Sequence, residues 1–272
     1  MALMPPGDPL PQDFAEALAS VRDRLRPLGD RIFFFKTIGS TNDVALDLAA
    51  RGGCDGAIVI AGEQTAGRGR RGRDWFSPQG SGLYVSIVLR PADASVDPQR
   101  ATGLVTLAAG VALAEAIEAV TGLRADIKWP NDLLVARRKL AGILAESATS
   151  DLGRIVLGYG LNVGARAYPR ELADRATSLE TELGRPIDRA LVCAETLAGL
   201  SARYRDLLAG RFDAILDGWR HRAPASRDAR VTWSTPSGPR HGVTAGIDDR
   251  GALLVRVDDR IETIVGGEVT WL

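Results

Sequence analysis

The chain is short of the side chains that most often build a reactive centre: among its 272 residues are two cysteines, two histidines and three lysines. Cys54 and Cys193 are too few and too far apart for a disulfide framework or a zinc site, and only His221 and His241 could add imidazole. No Ser-His-Asp or Cys-His arrangement is convincing with both histidines so near the C-terminus. A Walker A loop is absent, and the Gly67-Arg68-Gly69 start of a dinucleotide fingerprint loses its spacing at Arg71-Gly72. No continuous run of about 18 apolar residues is evident, and the start lacks the charged and apolar regions of a secretory signal. Lysine plus arginine total 34 and aspartate plus glutamate 34, so no global basic field favours DNA or RNA. These absences predict a soluble cytoplasmic protein in a reducing compartment, without a tightly bound transition metal.

What is present is concentrated. Between Glu63 and Trp75 the sequence reads E-Q-T-A-G-R-G-R-R-G-R-D-W, with four arginines and three glycines between Gly67 and Arg73. The glycines at 67, 69 and 72 are expected to permit positive φ and close backbone approach to a ligand. Arg68, Arg70, Arg71 and Arg73 offer planar forks for phosphate or carboxylate oxygens. The bland alternative is a solvated surface loop, although four clustered like charges repel one another and are usually kept for a partner. Lys36, Lys128 and Lys139 are the sole lysines beside 31 arginines, so a compact ammonium is suggested where lysine persists.

Hydrophobic periodicity organises the rest. A proline-rich start leads to an amphipathic helix over Asp13 to Leu25, then a strand from Arg31 and a helix capped by Ser40, Thr41 or Asn42 that ends at Arg51-Gly52-Gly53. Strands are predicted over Ala57 to Ala61 and Gly82 to Arg90, and a long helix over Ala101 to Val120. An antiparallel meander follows: Arg124 to Trp129, Asp132 to Val135, a turn at Arg137-Arg138, Leu140 to Ser147 and Arg154 to Val163. After a loop at Tyr168-Pro169 comes a helix over Asp188 to Leu208. Composition shifts near Pro224, and Ala229 to Leu272 reads as a small β-barrel of four or five strands leaning on the main domain.

Two further segments carry chemistry. In Lys128-Trp129-Pro130-Asn131-Asp132-Leu133 a cation, an amide and a carboxylate crowd a strand end, and Pro130 restricts the backbone that presents them. A plain Asn-Asp turn is the competing reading. In Gly158-Tyr159-Gly160-Leu161-Asn162-Val163 the glycines allow close approach, and Asn162 could read a donor and acceptor edge or simply close a turn. A site without nucleophile, histidine base or metal cluster must work by positioning and charge neutralisation, as nucleotidyl or phosphoryl transfer requires.

S-T-N at 40–42, the arginine segment at 63–75, K-W-P-N-D-L at 128–133, K-L-A-G-I-L-A-E at 139–146 and G-L-N-V at 160–163 together resemble the biotin protein ligases. The resemblance runs over residues 31 to 272 and is close in motif, order and spacing. It implies an α/β (α+β) catalytic domain like that of class II aminoacyl-tRNA synthetases and lipoate ligases, over 31–225, with an SH3-like β-barrel at 226–272 and an N-terminal extension at 1–30. It also implies that biotin and ATP, with Mg²⁺, give biotinyl-5′-AMP and pyrophosphate, and that the biotinyl group passes to a lysine of a biotin carrier protein such as that of acetyl-CoA carboxylase. By the same resemblance Ser40, Thr41, Asn42 and Gln64 hold biotin. Arg68, Gly69 and Arg70 close over it, and Arg70 and Arg73 meet the ATP phosphates. Trp75 packs on the adenine side, Lys128 contacts the carboxylate and α-phosphate, and Asn131 and Asn162 meet the nucleotide or its metal. Lys128, Arg70 and Arg73 are the expected catalytic groups, and Mg²⁺ is expected to be held mainly by the ATP phosphates. Residues 1–30 are too short for the winged helix of bifunctional relatives, so no DNA binding and no membrane partner are expected, while an exposed sheet edge could pair two copies.

ATP brings about four negative charges to a site that a carboxylate must also reach. Each charge-assisted contact from Arg70, Arg73 or Lys128 contributes about 1.5–3 kcal/mol in a closed site. The arginine segment is expected to be unstructured when empty, because fixing a residue costs about 1–2 kcal/mol. The transfer step needs a neutral lysine amine, which desolvation of the incoming lysine or proton acceptance by Asp132 could supply. The rivals are a lipoate or octanoate ligase, and a nucleic-acid-binding arm built on residues 67–73.

Overall fold

Alternating side chains in the central strands decide which helix covers which face. The computed structural model describes residues 7–52, 54–148, 153–165, 168–235 and 238–272. Its larger sheet holds β1 (Ile32–Phe35), β2 (Ile58–Ala61), β3 (Gly82–Leu89), β4 (Asp126–Lys128), β5 (Asp132–Val135), β6 (Arg138–Ser147) and β7 (Ile155–Asn162), in the order β1-β2-β3-β7-β6-β5-β4. Every neighbouring pair is antiparallel except β1 with β2, and the helix α3 (Thr41–Arg51) forms their crossover. Ile58, Ile60, Val85, Ile87, Leu157 and Tyr159 point to one face, in a core shared with the helices α4 (Pro98–Thr121), α6 (Arg189–Leu208) and α7 (Phe212–Arg222). Val59, Val88 and Val156 point to the other, where they meet Val44, Ala45 and Leu48 of α3. Burying each such side chain contributes about 1.5–3 kcal/mol.

That second face is covered along one part by α3 and left open beside the helix N-terminus. The opening falls over β6 and β7, where Gly142 pairs with Gly160 and Leu144 with Gly158. The site described below sits there.

The antiparallel meander matches expectation, though β4 keeps only Asp126–Lys128. Its hairpin turn lies one residue early: Ala136 and Arg137 take φ of 47° and 66°, and Val135 pairs with Arg138. The expected helix over 13–25 divides into α1 (Gln12–Ser20) and α2 (Arg22–Leu25) at Val21, and Phe14, Leu18 and Leu25 are buried in the same core as α6. Two helices were not foreseen, the short α5 (Leu179–Leu183) and α7, in which Trp219 is fully buried. No continuous apolar run of spanning length is present in α4, since Thr106, Glu115 and Glu118 interrupt it, yet by length and mean hydropathy α4 is apolar enough to cross a bilayer. Its apolar surface is met by α6 and α7 in the core, and Asp97 caps it by accepting from Arg100 N–H at 3.0 Å.

The C-terminal segment forms a five-stranded antiparallel sheet of β8 (Arg227–Thr235), β9 (Gly238–Ile247), β10 (Leu253–Val257), β11 (Arg260–Ile264) and β12 (Val269–Trp271), ordered β11-β10-β9-β8-β12. It docks through the turn between β9 and β10: Gly251 O accepts from Trp129 Nε1–H at 3.0 Å, and Asp249 O from Arg100 Nε–H at 2.8 Å. Gly251 needs its glycine twice over, since φ is 83° and a Cβ would come to 2.9 Å from Leu107 Cδ2.

Candidate active site

Ser40 stands at the N-cap of α3 but makes no side-chain capping bond. Gln64 does that work from the neighbouring strand end: its Oε1 accepts from Thr41 N–H at 2.8 Å and from Thr41 Oγ1 at 3.0 Å. Its Nε2 donates to Ser77 Oγ at 2.9 Å. Ser86 of β3 donates toward Thr41 Oγ1 and Asn42 Oδ1 at 2.7 and 2.6 Å, and Asn42 Nδ2 donates to Glu146 Oε2 at 2.7 Å. Ser40, Thr41 and Asn42 are 2%, 3% and 4% exposed, so this polar cluster is fixed within the fold.

The floor is made of glycine. A Cβ on Gly158 would lie 2.0 Å from Asn42 Oδ1, and one on Gly160 would lie 2.2 Å from Trp75 Nε1. Only bare backbone lets the asparagine and the indole lie so close to β7. Lys139 Nζ stands 5.3 Å from the centroid of the Trp75 ring and 2.7 Å from Asp132 Oδ1. The indole Nε1–H of Trp75 is buried and finds no acceptor among the described residues.

The arginine segment arches over this pocket in a defined conformation. Trp75 N–H donates to Gly67 O at 2.9 Å and Gly69 N–H to Arg73 O at 2.7 Å, which offsets part of the ordering cost expected to leave it unstructured. Positive φ occurs at Arg71 (60°) and Gly72 (70°), not at Gly67 or Gly69. Gly67 is needed for space instead, because a Cβ there would meet Trp75 O at 2.4 Å.

The four arginines divide their work. Arg68 pairs with Glu146 of β6 and with the exposed Asp43 of α3. Arg70 Nη1 donates to Asn131 Oδ1 at 3.1 Å, and Asn131 Nδ2 donates to Ile143 O at 2.8 Å, which ties the segment to the β4–β5 turn. Burial, then the Arg71 charge, lowers the Arg70 pKa, against the opposing pull of Asp132 and Glu268. Arg73 pairs outward with Glu268 of the C-terminal sheet, and Arg71 Nη1 lies 3.7 Å from the same carboxylate. The Arg73 hydrogen bond holds the Glu268 carboxyl below its usual range.

Of the residues singled out from sequence, Ser40, Thr41, Asn42, Gln64, Arg68, Gly69, Arg70, Trp75 and Asn131 line one cavity. Lys128, Arg73 and Asn162 do not. Lys128 sits beyond the cavity at the seam with the C-terminal sheet, and Arg73 is turned to Glu268. Asn162 lies behind the wall, where its Nδ2 donates to Thr177 O at 3.0 Å. Sequence reasoning read close backbone approach at Gly158 and Gly160 and singled out Lys139 as a retained lysine, but gave none of them, nor Gly142 or Glu146, a role in the site. The persistence of lysine at 139 in an arginine-rich chain was a usable signal. Among the described residues no group of three or more His, Cys, Asp or Glu is placed to hold a metal ion.

The chain matches two family descriptions, the Biotin/lipoate A/B protein ligase family over residues 34–162 and the Biotin protein ligase C terminal domain over residues 230–270. It is 36% identical over 262 residues to the Biotin--[acetyl-CoA-carboxylase] ligase of Mycobacterium tuberculosis, covering 93% of this chain and 94% of that one. It is 37% identical over 246 residues to the Bifunctional ligase/repressor BirA of Bacillus spizizenii, covering 89% of this chain and 74% of that one. Among solved structures, the biotin protein ligase from Aquifex aeolicus in complex with biotin and ATP superposes with a TM-score of 0.78 at 27% identity, covering 90% and 99% of the two chains. Fold and sequence thus define a ligase with the class II synthetase-like catalytic architecture and a separate C-terminal β-domain. The chain belongs to the biotin protein ligase family.

Proposed function

We propose that this chain activates biotin with ATP and transfers the biotinyl group to a lysine of a biotin carrier protein. The observation that carries the reading is the cavity itself, in which a buried donor and acceptor cluster, an indole and three cations, Arg68, Arg70 and Lys139, converge on a glycine floor. Ser40, Thr41, Asn42 and Gln64 hold the ureido ring, whose donors and acceptors need a rigid polar match. Arg68, Gly69 and Arg70 form the cover. The unpartnered Nε1–H of Trp75 is a donor that a bound substrate can take up.

In the first step a biotin carboxylate oxygen attacks the α-phosphorus of ATP. An acyl–phosphate bond forms as the bond to the leaving pyrophosphate breaks. Arg70, Arg73 and Lys128 oppose the charge that builds there, and Lys139 adds a cation at the Trp75 face. In the second, a neutral carrier lysine attacks the acyl carbon, AMP departs with the bonding electrons, and the amine loses its proton. Asn131 meets the nucleotide, while Asn162 braces the wall through Thr177. The oxygens nearest the cover are already held by cations, Asn131 Oδ1 by Arg70, Asp132 by Lys139 and Glu146 by Arg68, so Mg²⁺ belongs chiefly with the ATP phosphates and would supply charge neutralisation there.

We place the catalytic unit at residues 31–225 and the β-domain at 226–272, and the chain in the cytoplasm, in keeping with two buried free cysteines. A sheet edge is where two copies would pair. Biotin-dependent exchange of pyrophosphate into ATP, compared with lipoate and octanoate, tests the activity. Exchange with biotin alone is expected; exchange with none of the three acids overturns the reading.

A further inference from the structure

Lys128 is partly buried yet has no carboxylate of its own. Among the described residues no acidic oxygen lies within 4.0 Å of its ammonium. The two carboxylates nearest by charge are engaged elsewhere: Asp132 with Lys139 at 2.7 Å, and Glu268 with Arg73. The group that does meet the ammonium is aromatic. Lys128 Nζ stands 4.9 Å from the centroid of the Trp271 ring, on the last residue of β12.

Trp271 is itself pinned. Its Nε1–H donates to Ala225 O at 3.0 Å, and its backbone pairs with Val231 of β8. The next residue along from Lys128, Trp129, donates to Gly251 O at 3.0 Å. Lys128 therefore hangs between two fastenings to the C-terminal sheet, one through the main chain that follows it and one at its charged tip.

We propose that Trp271 is a positioning residue for Lys128, its ring face holding the ammonium where the α-phosphate of ATP is attacked. The proposal rests on the ligase reading. A lysine held by a ring keeps its hydrogen-bond donors free for a phosphate, whereas one held by a carboxylate would have to exchange partners first. That difference makes the ring suited to a cation that must follow a phosphorus centre through its change of geometry.

The charged groups facing Lys128 are Asp132 on β5, Lys139 on β6, Arg73 in the arginine segment and Glu268 before β12, two of each sign. Burial is the largest influence and lowers the lysine pKa; Asp132 and Glu268 raise it, Lys139 and Arg73 lower it. Removing the ring face takes away a stabiliser of the charged form. The alkaline limb of activity should then move to lower pH.

The test uses the full chain and biotin-dependent pyrophosphate exchange across pH, with thermal melting beside it. Trp271→Phe keeps a ring face and loses the bond to Ala225; Trp271→Leu and Trp271→Met lose both. The expected result is that the Phe variant keeps most of the parent rate and its pH profile. The two ringless variants lose roughly tenfold in kcat, with KM for biotin unchanged and the alkaline limb at lower pH. Equal losses in the Phe and ringless variants, or no loss in any, overturn the assignment. A parent that shows no exchange with biotin overturns the ligase reading as well, and is distinguished by failing before any substitution is made.

Discussion

Gly160 lies directly beneath Trp75, so close that a single added methyl would come to 2.2 Å from the indole nitrogen. The same indole has Lys139 on its face at 5.3 Å, so the position of a glycine on β7 sets the position of a cation on β6. Gly160→Ala should therefore displace Trp75 while leaving the sheet intact. Biotin-dependent exchange should fall by roughly 100-fold, the scale of a 1 Å misplacement. The melting temperature should change little, because Trp75 is only partly buried and lies outside the main hydrophobic core. Steady-state kinetics together with a melting curve check this, and a variant with parent activity would remove Trp75 from the site.

Arg70 ties the arginine segment to Asn131 at 3.1 Å. Arg70→Ala cuts that tie, and biotinyl-5′-AMP should leak from the enzyme instead of waiting for the carrier. Rapid filtration after a single turnover measures the released fraction. Retention for as long as in the parent would mean that the segment is not a lid.

Asp132 is a candidate proton acceptor for the transfer step, and its carboxylate is held by Lys139 at 2.7 Å. Asp132→Asn should free Lys139 and slow adenylation several-fold. If the carboxylate is also the base, transfer from preformed adenylate should slow further at every pH. Transfer at the parent rate across pH excludes that role and leaves Asp132 as an anchor for Lys139.

Glu268 joins the C-terminal sheet to Arg73 and Arg71. Its carboxyl is depressed by Arg73, so the clamp's contribution is present above the ordinary carboxylate value of about 4.3 and is lost as pH falls through the lower folded value. Hydrogen exchange over residues 67–73, corrected for intrinsic rate, should rise in that acid range. Glu268→Gln should show the same raised exchange already at neutral pH, with faster tryptic cleavage among the arginines. Equal protection in both proteins would place the clamp elsewhere.

Much of the site was legible because it is built from short contiguous motifs. Ser40 to Asn42, Gln64, Arg68 to Arg70, Trp75 and Asn131 each stand in a segment whose chemistry is local, and all of them line one cavity. The glycine floor was harder to read. Gly142, Gly158 and Gly160 become a surface only once β6 and β7 pair in register, which no single strand encodes. Glu268 and Trp271 carried no signal at all, since their partners Arg73 and Lys128 lie far away in the chain. In the fold, strand alternation and the meander followed from period and turn residues. The break at Val21 and the helix α7 depend on what those segments pack against.

Helix α4 is apolar enough to suit a bilayer, and it is covered by α6 and α7, which are made later in the chain. A ribosome therefore exposes a sticky helix well before its cover emerges. Any fragment ending ahead of residue 189 should aggregate or partition into lipid, and nascent chains should need protection over that interval. Split or truncated versions of this enzyme must keep α4, α6 and α7 on one piece.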